Sequence, residues 1–264
     1  MAAEPWTLFL DSCGRGGLRG RFDILLRHPR WRVWQEGEHV YLSEGDGTAQ
    51  ISAEPLIPTL RAIAREEQQR TSDLGGFPTP YPFAGGFAGF FSYDWGRRML
   101  GIPGPDDPTL PTAALAWYDS ALMVDHVSRE AGFWGRSQDL PDWLEEPPAS
   151  PLEPHCPGRG SAWRPRWSVA AYRRAFADVK AYLRAGDVYQ LNLAQAFSGR
   201  WSASPWQLYS ALRQRNPAPF AAFFSLPEAS LLSLSPERLV SLRDGRLQAR
   251  PIKGTRRRDP DPER

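Results

Sequence analysis

Short apolar runs broken by glycine, proline and aspartate dominate the first half of the chain. Residues 6–10 and 22–26 read as strands, and Trp31-Arg32-Val33-Trp34 alternates with the period of a half-buried strand. This is the grammar of antiparallel sheets. Leu56, Ile57, Leu60, Ile63 and Ala64 fall on one helical face, which predicts an amphipathic helix over 56–70. Residues 83–91 mix four phenylalanines, Phe83, Phe87, Phe90 and Phe91, with Gly85, Gly86 and Gly89. That mixture predicts a buried strand closely approached by another backbone. A phosphate-cradling loop is disfavoured, because no Lys-Ser or Lys-Thr pair follows the glycines. Ala113 to His126 is almost continuously apolar and predicts one long central strand, with a structural role for His126 at its end.

The pattern changes between residues 138 and 166, where proline, glutamate and glycine crowd together as in a linker or surface excursion. The chain therefore divides into a β-rich region over 1–137, the Pro-rich segment over 138–166, and a second region over 167–264. Ser168 can cap a helix whose apolar positions Val169, Tyr172, Phe176, Val179, Tyr182 and Leu183 recur at three and four, with Gly186 as its stop. Ser204-Pro205 opens another helix through Leu208 and Leu212. Residues 221–226 and 230–235 read as strands, and 238–242 and 247–252 as a hairpin around Asp244-Gly245. No internal repeat is evident.

The chain has 264 residues, 41% of them hydrophobic and 12% aromatic, enough for a sizeable core and too many for general disorder. With 32 basic and 30 acidic residues the net charge is +2, so no global field attracts nucleic acid or lipid, and a small-molecule substrate fits better. The basic cluster Arg256-Arg257-Arg258 is diluted by neighbouring Asp and Pro. Cys13 and Cys156 lie far apart without metal-ligand spacing, as reduced thiols would. Neither a signal peptide nor an apolar stretch of about 18 residues is present in the sequence given, so a cytoplasmic location is expected.

Candidate chemistry concentrates in Ser235-Pro236-Glu237-Arg238 and Arg250-Pro251-Ile252-Lys253-Gly254-Thr255, which flank the hairpin and join a carboxyl to an amine. A two-residue turn at Asp244-Gly245 would place Glu237 opposite Ile252 and turn Glu237 and Lys253 to opposite faces. A three-residue loop, with Gly245 left-handed, would bring Lys253 opposite Ser235 and diagonal to Glu237 on one face. Convergence of the two groups calls for this second register or an equivalent bulge.

These stretches resemble chorismate-utilising enzymes, and specifically their aminodeoxychorismate synthase branch. The similarity also covers Pro5-Trp6, 21–24, 85–98, 118–126, 186–195, 218–220 and 232–238, so it spans nearly the whole chain. Pro251-Ile252-Lys253-Gly254-Thr255 discriminates most, because anthranilate synthases, the alternative branch, typically carry alanine at the position of Lys253. The resemblance implies an α+β fold in which two antiparallel sheets pack with helices on the outside, the active cleft forming late in the chain. It implies Lys253 as a nucleophile toward chorismate, Glu237 as general acid and base, and Arg250 and Thr255 as substrate-binding residues. An attacking amine must be unprotonated, which burial or a cation such as Arg250 would favour, and a carboxyl donating near neutral pH needs a raised pKa.

The resemblance further implies ammonia supplied by a glutamine amidotransferase partner, and magnesium held by glutamates of a C-terminal half. The sequence is expected to be a piece of a longer chain, poorly soluble by itself because sheet edges and apolar surface are uncovered. A tryptophan pocket remote from the reaction is implied at Ser12, Arg19, Gly20, Arg21, Phe22, Pro219, Phe220 and Ala221. The resemblance implies serines in some relatives at the positions of Gly20 and Ala221, so polar contacts to the amino acid are weakened here. Core packing without a ligand remains an equal reading of these positions. A non-catalytic tryptophan-binding or subunit-docking module is the reading from a different functional class.

Overall fold

The computed structural model describes residues 4–14, 20–70, 81–107, 109–136, 160–252 and 254. Its contacts group into two compact units, one of residues 1–152 with 209–264 and one of residues 153–208. Most of the Pro-rich segment, 137–159, lies outside the described residues.

In chain order the first part contains strands β1 (Leu8–Asp11), β2 (Phe22–Leu26), β3 (Trp31–Glu36), β4 (His39–Glu44) and β5 (Gln50–Ile51), then helix α1 (Leu56–Arg70). Strand β6 (Gly86–Phe91), helix α2 (Tyr93–Met99) and strands β7 (Ala113–Tyr118), β8 (Ala121–Asp125) and β9 (Glu130–Trp134) follow. The second unit holds β10 (Arg164–Pro165), α3 (Val169–Ala185), β11 (Phe197–Ser198) and the start of α4 (Pro205–Arg215). The chain then forms β12 (Phe220–Ser225), β13 (Ser230–Ser235), β14 (Ser241–Arg243) and β15 (Arg246–Gln248).

Two antiparallel sheets make the first unit, in the orders β13-β12-β1-β2-β8-β9 and β5-β4-β3-β7-β6. Their facing surfaces enclose a core of Trp6, Leu8, Ile24, Leu26, Ala114, Ala116, Tyr118, Met123, Trp134 and Phe224. On the outer face of the five-stranded sheet, Leu56, Leu60 and Ile63 of α1 pack against Val33, Val40, Ala113 and Leu115. Covered on both faces, β7 is buried at all six positions, which is why its sequence does not alternate. Close approach also explains a glycine: a Cβ on Gly89 of β6 would stand 2.0 Å from the Ala114 carbonyl oxygen of β7.

The run from Ala113 to His126 is not the single strand its sequence predicts. It is β7 and β8, separated by Asp119-Ser120, and the two strands belong to different sheets. The chain crosses the sandwich at that turn, and apolarity persists through it because both strands face covered surfaces. His126 has the expected structural position, its Nε2 lying 2.8 Å from Asp23 Oδ2.

Buried charges tie helices to sheets. Glu67 of α1 is fully buried and accepts from Arg30 Nε at 2.8 Å, Trp31 Nε1 at 2.9 Å and Arg70 Nε at 2.9 Å. Burial pushes its pKa up, but the hydrogen bonds from Trp31, Arg70 and Arg30 outweigh that and hold it below the usual carboxylate value. On the outer face of the six-stranded sheet, Tyr209 of α4 packs on Phe223 with ring centroids 5.6 Å apart. Asp11 of β1 anchors the same helix through Tyr209 and Arg213.

Within the second unit, α3 has the predicted ends: Ser168 accepts from the Ala171 N–H at 3.2 Å, and Gly186 closes the helix at φ 82°. Its apolar face is uncovered among the described residues, with Val169, Phe176 and Tyr182 at least half exposed. No described helix is long and apolar enough to cross a membrane.

Candidate functional site

The hairpin β14–β15 pairs Ser241 with Gln248, Leu242 with Leu247 and Arg243 with Arg246. Its turn is therefore the two-residue Asp244-Gly245, both with positive φ, 50° and 72°. The three-residue loop that would set Lys253 opposite Ser235 does not form. An Asp-Gly pair satisfies a tight turn whose twist matches the strands, so no residue is left to loop out.

Regular pairing ends at Ser241 and Gln248, so strand alternation is not imposed between Glu237 and the segment beyond. Contact across this gap is made by a side chain: Glu237 Oε1 accepts the Ile252 N–H at 2.9 Å. The Glu237 backbone is held by Ser235, whose hydroxyl donates to the Glu237 carbonyl at 2.9 Å and accepts its N–H at 3.3 Å. Glu237 and Arg250 are both exposed. Lys253 and Thr255 lie outside the described residues. The carboxylate is thus set against the residue that precedes Lys253, with no described residue enclosing it. Leu239, Val240, Leu242, Leu247 and Ile252 expose apolar surface along the same segment.

A second candidate site is a cavity of about 900 Å³ in the first unit. Gly20, Arg21, Phe22, Pro219, Phe220 and Ala221 line it together, six of the eight positions proposed for tryptophan. They meet because β12 pairs with β1 and β1 with β2, so residues some 200 apart in sequence share one end of a sheet. Ser12 is not in the lining: its N–H and hydroxyl both donate to Asp23 Oδ1, at 2.7 and 2.6 Å. Arg19 lies outside the described residues. A Cβ at Gly20 would stand 2.9 Å from the Ser12 carbonyl oxygen, so the backbone here leaves no room for a serine without a shift.

Arg21 spans one wall. Its Nε and Nη2 donate to Asp125 at 2.9 and 2.6 Å, and its guanidinium lies 4.8 Å from the Phe22 ring centroid. The Arg21 hydrogen bond keeps the Asp125 carboxyl far below the usual carboxylate range. Tyr81, Arg238, Ser241, Leu242 and Arg243 also line the cavity, and the sequence assigned none of them to it. Arg238 belongs to the Ser235-Pro236-Glu237-Arg238 motif, whereas the others are marked in the sequence only by nearness to motif residues. The hairpin that carries Glu237 at its base therefore also walls the cavity.

Among the described residues no cluster of three or more His, Cys, Asp or Glu could hold a metal ion. These residues do not by themselves supply a magnesium site.

The chain is 38% identical to aminodeoxychorismate synthase component 1 of Klebsiella aerogenes over 270 residues, covering all of this chain and 58% of that relative. It is 35% identical to aminodeoxychorismate synthase component 1 of Escherichia coli (strain K12), covering 98% of this chain and 56% of that relative. The chain thus spans little more than half the length of these curated relatives. In fold it matches the crystal structure of anthranilate synthase component I from Streptococcus pneumoniae TIGR4 with a TM-score of 0.72 at 22% identity, over 88% of this chain and 54% of that one. The family model for chorismate binding enzymes matches residues 26–264, and the chain belongs to that family.

Proposed function

We propose that this chain forms part of a synthase that aminates chorismate to 4-amino-4-deoxychorismate, the precursor of p-aminobenzoate in folate synthesis. The single observation that carries the reading is the hydrogen bond from the Ile252 N–H to Glu237 Oε1, because it brings the candidate acid to the immediate chain neighbour of Lys253. In this reading the Lys253 amine bonds to ring carbon C2 of chorismate, both ring double bonds shift, and the 4-hydroxyl departs as water with a proton from Glu237, whose carboxylate then takes a proton from the newly bonded amine. Ammonia then bonds at C4, both double bonds shift back, and the lysine amine leaves with a proton from Glu237. Arg250 and Thr255 contact the substrate. A glutamine amidotransferase partner supplies the ammonia in the cytoplasm. Magnesium would supply positive charge to the substrate carboxylate, and would be held by glutamates from the part of the relatives' length that this chain does not span.

The cavity beside β1, β2 and β12 is read as a tryptophan site, supported by the convergence of Gly20, Arg21, Phe22, Pro219, Phe220 and Ala221. Aromatic and proline walls suit an indole ring.

The test is turnover of chorismate with magnesium and ammonia by the protein extended to the full length of its relatives. Aminodeoxychorismate should accumulate, and Lys253→Ala should abolish it without changing the thermal melt. Accumulation of anthranilate, or undiminished turnover by the variant, overturns the proposal.

A further inference from the structure

The polar groups lining the cavity are unevenly committed. Asp11 is the carboxylate among its described lining residues, and both oxygens are engaged. Oδ1 accepts from the Cys13 N–H at 2.6 Å and Arg213 Nη2 at 2.8 Å, while Oδ2 accepts from the Tyr209 hydroxyl at 2.8 Å and Arg213 Nε at 2.5 Å. Arg21 is committed in the same way to Asp125. Arg238 differs: Nη2 donates to Gln248 Oε1 of β15, but Nε is buried with no acceptor among the described residues. Its guanidinium lies 5.8 Å from the Phe220 ring centroid, against the cavity wall. A charged donor buried without an acceptor is costly, and a guanidinium matches a carboxylate in shape and charge.

Among the described lining residues, no buried side-chain acceptor is left without a partner for an ammonium group. Ser12, whose hydroxyl donates to Asp23, is not in the lining, Gly20 has no side chain, and Ala221 has no polar atom beyond its backbone. Phe22, Tyr81 and Phe220 offer flat surfaces instead.

We propose that the cavity recognises planar aromatic carboxylates, that Arg238 receives the carboxylate, and that an α-amino group adds little to binding. The inference rests on the reading of this cavity as an aromatic-ligand site, and narrows its ligand from an amino acid to an aromatic acid. It also gives a role to an arginine adjacent to Glu237, whose other contact is with the hairpin.

Calorimetric titration of the protein with tryptophan, indole-3-propionate and tryptamine separates the possibilities. Tryptophan and indole-3-propionate should bind within about tenfold of each other, and tryptamine about tenfold or more weaker. Arg238→Met should weaken both acids by about tenfold or more and leave tryptamine unaffected. Arg238→Lys, which keeps the charge, should recover part of that loss. Tryptamine binding as well as the acids, or tryptophan binding while indole-3-propionate does not, overturns the inference and leaves the tryptophan reading standing. If none of the three indoles binds, the reading of the cavity as an aromatic-ligand site falls, and the inference with it. The comparison of ligands on the unaltered protein decides the matter even where the methionine variant does not fold.

Discussion

Asp11 is the residue whose importance is least visible in the chain. Its partners Tyr209 and Arg213 stand 198 and 202 positions away, so no local pattern announces the pairing. Burial pushes the Asp11 carboxyl up, and the hydrogen bonds from Arg213, Tyr209 and the Cys13 N–H bring it below its usual value. Replacing Asp11 with alanine leaves a charge and a phenol without their acceptor and should cost about 3 kcal/mol, the low end of the range for a broken buried pair, because Arg213 is a third exposed. Tyr209→Phe removes one neutral donor while Arg213 still serves the carboxylate, and should cost about 1 kcal/mol. Urea unfolding of the two variants measures the difference, and equal losses would mean that the ion pair contributes nothing beyond the hydrogen bond.

At the scale of elements, the hairpin shows where local grammar succeeds and where it stops. Asp244-Gly245 determines a two-residue turn, yet the regular strands extend only to Ser241 and Gln248, shorter than their apolar alternation predicts. Leu242 and Leu247 oppose each other and are 70% and 71% exposed, an apolar pair without a covering layer among the described residues. Such surface drives self-association. Leu242→Lys combined with Leu247→Glu keeps a cross-strand pair and the turn, and should shift the protein toward monomer in sedimentation velocity. Unchanged association would place the sticky surface elsewhere, for instance on the exposed face of α3. That face illustrates a related limit: Val169, Phe176 and Tyr182 recur at helical spacing, and periodicity reveals a helix without revealing what covers it.

For the whole molecule, the sandwich and its covering helices rest on charge pairs as well as on apolar packing. Asp11, Glu67 and Asp125 all have folded-state pKa values below the ordinary carboxylate value. The unfolded chain therefore binds more protons as acid is added, so the stability these groups supply is complete above about pH 5 and is lost as pH falls through about 4 and below. Melting temperatures between pH 7 and pH 3 should stay level and then drop; a level profile down to pH 3 would show that these pairs contribute little. The sequence by itself determined the strand-rich first half, the helices over 56–70 and from Ser168, the tight turn at Asp244-Gly245 and the family motifs. Each of these follows from periodicity, capping or turn chemistry, interactions that span only a few residues. Tertiary structure alone decided that Ala113 to His126 splits between two sheets, that Asp11 holds α4, and that Arg238 meets Phe22 and Phe220 around one cavity. Those outcomes depend on which surfaces are covered on both sides, and covering is supplied by segments far away in the chain.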